Sequence, residues 1–174
     1  MPPRQTMTTE TISLPKQLTD MPAHARAWVY KAPRDLSQAE LKLVRDHGHA
    51  FTSTWAAHGA PLDACVDVLH ARFVVVAVDE DQARASGCSI DKSVGFIKQL
   101  EHDLNVMLTD RMIVVYEADG AIASCHLNAL PGLIAQGAVT GETIVFDDLV
   151  PTVGELRDRF RAPLRTTWLE RYLR

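Results

Sequence analysis

The chain has 174 residues, 47% of them hydrophobic and 23% charged, and a formal net charge of −4. That length suits one sizeable core rather than two domains, and the acidic balance argues against a nucleic-acid partner held by bulk electrostatics. The longest unbroken apolar run, Phe73 to Val78, is six residues, so no segment reads as a membrane span.

The N-terminus, Met1-Pro2-Pro3-Arg4-Gln5-Thr6, lacks the apolar stretch of a signal peptide. Three cysteines, Cys65, Cys88 and Cys125, show no paired spacing, which points to reduced thiols and a cytoplasmic location. Residues 1–20, rich in Thr, Pro and Gln, read as a flexible extension, and residues 21–174 as a single domain.

Ala27-Trp28-Val29-Tyr30 reads as a short strand followed by the Ala32–Asp35 turn. Ser37-Gln38-Ala39-Glu40 is a capping box, flanked by the Leu36 and Leu41 pair of a hydrophobic staple. The apolar face then runs Leu41, Val44, Gly48, Phe51 and Trp55, at helical spacing. Gly59 after His58 fits a C-terminal stop, which would set His58 against the core or at the helix end. His47 and His49, two apart on a helix, point different ways and do not chelate together.

Two extended segments follow, at about 64–70 and 72–79, either a hairpin or one bent strand. The second, Phe73 to Asp79, shows no alternation, as expected of a strand covered on both faces. Ile90, Val94, Ile97, Leu100 and Leu104 then mark a helical stripe, with Ser89 as the expected N-cap. Met112–Tyr116 and Ala121–Leu127 meet at Asp119-Gly120, a strong hairpin signal. Asn128 is placed to cap a short helix to Ala135, Thr143–Phe146 reads as a strand, and Thr152–Glu155 repeats the capping-box pattern before a last helix to about Phe160. This order predicts one α+β domain, with an antiparallel or mixed sheet and about four helices packed mainly on one face. Arginines 157, 159, 161, 165, 171 and 174 crowd the C-terminus, either as a solvated face or as a local basic patch.

The stretch richest in candidate chemistry is Ala85 to Val94. Cys88 beside a helix N-terminus is placed to be a stabilised thiolate, opposed by the Asp91 carboxylate, or a packed structural cysteine. Gly87, Ser89, Asp91 and Lys92 are the candidate ligand-binding residues for a small anion at that helix start. Asp79, Glu80 and Asp81, ending the apolar strand, are candidates for a base or a Mg²⁺ contact, and His58 for a base. No metal-ligand set emerges: Cys65 with His70, and Cys125 with His126, have odd spacings that face opposite sides of a strand. Neither a P-loop nor a Gly-x-Gly-x-x-Gly fingerprint occurs.

Trp28-Val29-Tyr30, Trp55-Ala56-Ala57-His58-Gly59, Phe73 through Glu80, and Ser86-Gly87-Cys88-Ser89-Ile90-Asp91 with Ser93-Val94 come in a telling order. With Leu100-Glu101, Asp110-Arg111 and Val145-Phe146, and then Val150 and Thr152, that order resembles a family of small bacterial proteins. The family is common in Bacteroidetes and often labelled "ABC transporter ATPase". The resemblance runs from about Met21 to Arg171, and Ser-Gly-Cys-Ser-Ile-Asp is its most specific motif. It carries over no catalytic residue. The label implies nucleotide hydrolysis, yet the chain has neither a Walker A loop nor a Leu-Ser-Gly-Gly-Gln signature. Relatives commonly place a His after the C-terminal Trp, where this chain has Trp168-Leu169.

The expectation is therefore a cytoplasmic binding or interaction domain for a small anionic ligand or a protein, with no assigned cofactor. A thiol-dependent enzyme or redox sensor using Cys88 is the rival, and a phosphate-ester hydrolase the third reading.

Overall fold

The computed structural model describes residues 16–174. Nine strands and four α-helices follow in the order β1 (Arg26–Lys31), α1 (Gln38–Thr54), β2 (Ala56–Ala57), β3 (Ala60–Pro61), β4 (Asp63–Leu69), β5 (Phe73–Asp79), α2 (Gly87–Leu104), β6 (Ile113–Ala118), β7 (Ala121–His126), α3 (Leu130–Ala135), β8 (Ile144–Phe146), α4 (Val153–Arg159) and β9 (Arg161–Pro163). The domain is α+β, and every strand pairing is antiparallel.

One sheet has the order β1-β5-β4, a second has β7-β6-β8-β9, and β2-β3 is a separate small ribbon. In the first sheet β5 is central, and Phe73 through Val78 are all buried, as the unbroken apolar run predicts. Its two faces lead to different partners. Val74, Val76 and Val78 join Val44 of α1 and Ile97 and Leu100 of α2 in one core, while Phe73, Val75 and Ala77 join Val115, Phe146, Val153 and Phe160 in another. The two long helices thus share one face of the sheet, and the second sheet with α4 fills the other.

The helix starts follow the sequence chemistry. Ser37 Oγ accepts the Glu40 N–H, and Glu40 returns a carboxylate to the Ser37 N–H at 2.7 Å, the complete box expected. Thr152 Oγ1 accepts the Glu155 N–H at 3.2 Å to cap α4. Where α1 crosses β4, a Cβ on Gly48 would lie 2.6 Å from Val66 Cβ, so the contact requires glycine.

Several boundaries differ from expectation. Of the two alternatives for segments 64–70 and 72–79, the hairpin is the one formed, turned through His70 and Ala71, both at positive φ. Helix α1 stops at Thr54, and His58-Gly59 is the turn of the β2–β3 ribbon, again with both residues at positive φ. His58 is exposed there rather than packed on the core. The Trp55 ring still meets Phe51, at 5.1 Å between centroids, which is why it mimicked another helical turn. Asn128 does not cap α3: it lies in a 3-10 turn, Leu127–Ala129, capped by His126, whose Nδ1 accepts the Asn128 N–H. That turn leads into α3, whose N-cap Ala129 makes no side-chain bond. Residues 1–15 of the expected extension lie outside the described residues, but its end is anchored: Leu18 is buried and Lys16 pairs with Asp63.

Candidate functional site

The start of α2 is built by Ser86, not Ser89. Ser86 Oγ accepts the Ser89 N–H at 3.2 Å, and Ser89 Oγ accepts the Ser86 N–H at 2.7 Å while donating to the Ser86 carbonyl. The Ser89 carbonyl accepts the Trp55 indole N–H at 2.8 Å. Ser89 is therefore a buried structural residue with its hydroxyl fully used, which corrects its place among the ligand-binding candidates. Gly87, Cys88, Asp91 and Lys92 are exposed around it. A Cβ on Gly87 would meet nothing within 4 Å, so no crowding demands glycine there.

The other candidates sit in separate neighbourhoods. Glu80 Oε1 accepts the Ala85 N–H at 2.9 Å, holding the loop before α2, and lies 4.0 Å from the Arg26 guanidinium. Asp79 Oδ1 accepts the Asp81 N–H and lies 3.4 Å from His24 Nε2, while Asp81 Oδ2 lies 2.9 Å from the same nitrogen. Ligand atoms of His24, Asp79 and Asp81 fall within 4.8 Å of one another, a grouping with the donors to hold a divalent cation. The sequence offered Asp79 and Asp81 for a Mg²⁺ contact, and it missed His24 because that residue is far from the two acids in the chain. The contacts of Asp79 and Glu80 are thus His24, Arg26 and backbone N–H groups, and neither is paired with the Cys88 thiol.

The cysteines differ sharply. All three are free; Cys65 is buried, Cys125 half-buried and Cys88 exposed. Burial first, and then Asp67, pushes the Cys65 thiol up to about 12, and burial raises Cys125.

A larger feature lies along the outer edge of β1. A groove of about 770 Å³ runs beside Arg26 through Lys31, walled by Val94 and Lys98 of α2, Leu108 to Arg111, Asp148 to Pro151, and Trp168 with Arg171. Val94 and Lys98 are about one and two turns beyond Asp91 on α2. Five cations line the groove, Arg26, Lys31, Lys98, Arg111 and Arg171, against two acids, Asp110 and Asp148. Asp148 is already engaged: its Oδ2 accepts from Lys31 Nζ at 2.7 Å, between side chains 15% and 5% exposed.

The aromatic component is as marked. The Arg26 guanidinium lies 4.7 Å over the Trp28 ring, and that of Arg171 lies 5.3 Å over Trp168. Burial raises the Tyr30 phenol above its ordinary range, and the nearby Arg111 charge pulls part of that back. The segment leading to Arg111 is held by Glu101, one oxygen of which accepts the Leu108 N–H, the Thr109 N–H and the Thr109 hydroxyl, all at 2.7 Å. Burial works to raise the Glu101 carboxyl, but the hydrogen bonds from Thr109 and Leu108 outweigh it and hold the group below its ordinary value.

The C-terminal arginines divide between the two expected readings. Arg159, Arg161 and Arg165 are spent in pairs with Asp147 and Glu155, Glu117, and Glu142, whereas Arg171 faces the groove. The groove escaped the sequence because its walls come from five separated stretches, and the alternation Arg26-x-Trp28-x-Tyr30 was its one local trace. Comparison of the chain with protein-family models, curated proteins and solved structures gives no match.

Proposed function

We propose that this protein is a non-catalytic binding domain, working in the cytoplasm with its thiols reduced, whose ligand is anionic and sits in the groove along β1. The observation that carries the reading is the charge of that groove: once buried Lys31 and Asp148 neutralise each other, four cations, Arg26, Lys98, Arg111 and Arg171, face one acid, Asp110. The volume, about 770 Å³, falls within the range of small-ligand and peptide sites. Trp28 and Trp168, each under a guanidinium, offer flat apolar faces beside the charge. The binding class is the one the sequence suggested, with the site moved along α2 from its start to Val94 and Lys98.

The test uses the groove tryptophans as reporters. Titration with pyrophosphate, ATP and poly-glutamate should give a saturable change in tryptophan fluorescence for at least one of them, weakened by added salt. Lys98→Glu with Arg111→Glu should abolish that change, while Lys92→Ala and Asp91→Ala at the helix start should leave it intact. No saturable change with any of the three, or a loss through the helix-start variants alone, removes the groove from the reading.

A thiol role for Cys88 is the second reading, favoured by its being the exposed cysteine of the three. It fails if dilute peroxide leaves Cys88 unoxidised under conditions that oxidise free cysteine.

A further inference from the structure

The groove contains something a small-anion site does not need: an unfinished sheet edge. The direction of each β1 backbone group follows from its hydrogen bonds. The Ala27 N–H donates to Pro151 O at 3.0 Å, and Ala25 O accepts the Val153 N–H at 2.9 Å, so odd-numbered residues face away from β5. The Ala32 N–H donates to Arg72 O, so even-numbered residues face toward β5. Alternation then sends the N–H and C=O of Val29 and Lys31 outward, and none of these four groups has a hydrogen-bond partner among the described residues. Lys31 is 4% exposed, and backbone groups of so buried a residue are normally paired.

The chain itself begins the missing strand. Arg26 and Thr152 pair as a single antiparallel bridge, and Pro151 to Val153 lie where a fourth strand of the first sheet would lie. The preceding residues make no backbone hydrogen bond to Val29 or Lys31; instead the Leu149 N–H folds back on Asp147 Oδ1. The row therefore stops beside Ala27, and the groove opens beside the next residues of β1.

We propose that the groove takes an extended, acidic segment of a partner protein, which adds to β1 as a strand and pairs with Val29 and Lys31. This rests on the groove being the binding site and names its occupant. Charge complementarity selects an acidic chain, since Lys98, Arg111 and Arg171 flank the edge and Asp110 is the one groove acid not already paired with Lys31. By alternation Arg26, Trp28 and Tyr30 share one face of β1, the face on which α2 packs, so one set of the added strand's side chains would meet the aromatic rings and the cations together.

The experiment modifies the ligand, so folding of the protein is not at risk. Isotope-labelled full-length protein is titrated with short peptides alternating Glu with apolar residues, with the same peptides N-methylated on alternate amides, and with oligo(dT). The proposal expects saturable peptide binding, slowed amide exchange at Val29 and Lys31 with Trp28 unchanged, and a loss of about tenfold or more in affinity for one of the two N-methylation frames. Peptides that bind equally well in both frames, with Val29 and Lys31 unprotected, overturn strand addition but leave the anionic-ligand reading standing. Tighter binding of oligo(dT) at the same residues overturns the peptide in favour of nucleic acid. Failure of every acidic peptide to bind also overturns it, and pyrophosphate or ATP binding then shows whether the groove still takes small anions.

Discussion

Lys31 Nζ lies 2.7 Å from Asp148 Oδ2, joining the first sheet to the turn that follows β8, with the lysine side chain only 5% exposed. Removing one member of so buried a pair leaves the other charge without compensation. Asp148→Ala should therefore cost about 3–5 kcal/mol in urea unfolding, whereas Lys31→Met combined with Asp148→Leu should be close to neutral. A double variant as unstable as the single one would mean that the salt bridge fixes the turn and is more than a neutralised charge.

Gly48 predicts a loss where helix propensity predicts a gain. Alanine in mid-helix is worth about 1 kcal/mol over glycine, but overpacking a core costs about 1–3 kcal/mol. With the new Cβ placed 2.6 Å from Val66, packing should win, and Gly48→Ala should lower the denaturation midpoint. Gly95, where a Cβ meets nothing within 4 Å, is the control: Gly95→Ala should raise it.

The thiols should react in order of exposure. Iodoacetamide at neutral pH should modify Cys88 first and Cys125 more slowly, and should spare Cys65 until denaturant is added. Burial holds Cys65 near 12, so raising the pH to 9 should not expose it. Mass spectrometry showing Cys65 modified as fast as Cys88 in the folded protein would contradict the packing of β4.

Glu40 links one helix start to pH. The Arg34 hydrogen bond first, then the Ser37 N–H, lower its carboxyl from 4.5 to about 2. A depressed folded-state value means stability that is complete above the unfolded value and fades as pH falls from about 4.5 toward 2. Glu40→Gln keeps a capping side chain but loses that charge. It should be less stable than the parent at pH 7 and equal to it near pH 2, measured by urea unfolding at both.

Glu101 should affect the groove without touching a ligand. Glu101→Ala releases three hydrogen bonds from Leu108 and Thr109, and should loosen the segment that carries Arg111. It should weaken binding of whichever anion the groove takes, and speed amide exchange at Leu108 and Thr109. The second readout separates this from a loss of charge, since Arg111→Ala should leave those amides protected.

Much of the fold was legible because it is written in local chemistry. The Ser37–Glu40 box, the Asp119-Gly120 turn and the double burial of β5 each follow from a few adjacent residues. The errors came where one signal serves two structures. Gly59 at positive φ suits a helix end and a two-residue hairpin alike, and Ser86 and Ser89, three apart, are the two halves of one box. The His70-Ala71 turn had no glycine to announce it, and its hairpin stayed ambiguous in the sequence. The site was the least legible part. A strand edge, two turns of α2, two loops and the 3-10 helix Trp168–Leu173 must be brought together before Arg26, Lys98, Arg111 and Arg171 share a groove, and no spacing encodes that.

The central position of β5 also bears on how the molecule reaches its native state. Its pairing with β4 is a tight hairpin and can close early, but β1 arrives from far upstream, across the whole of α1. Until it does, Phe73 to Val78 presents an uncharged valine-rich border, the composition most prone to recruit strands from other molecules. Docking of β1 replaces that border with one carrying Arg26 and Lys31. The first strand is thus a guard against self-association during refolding, and the yield of soluble protein should depend on concentration most steeply in variants that delay its docking.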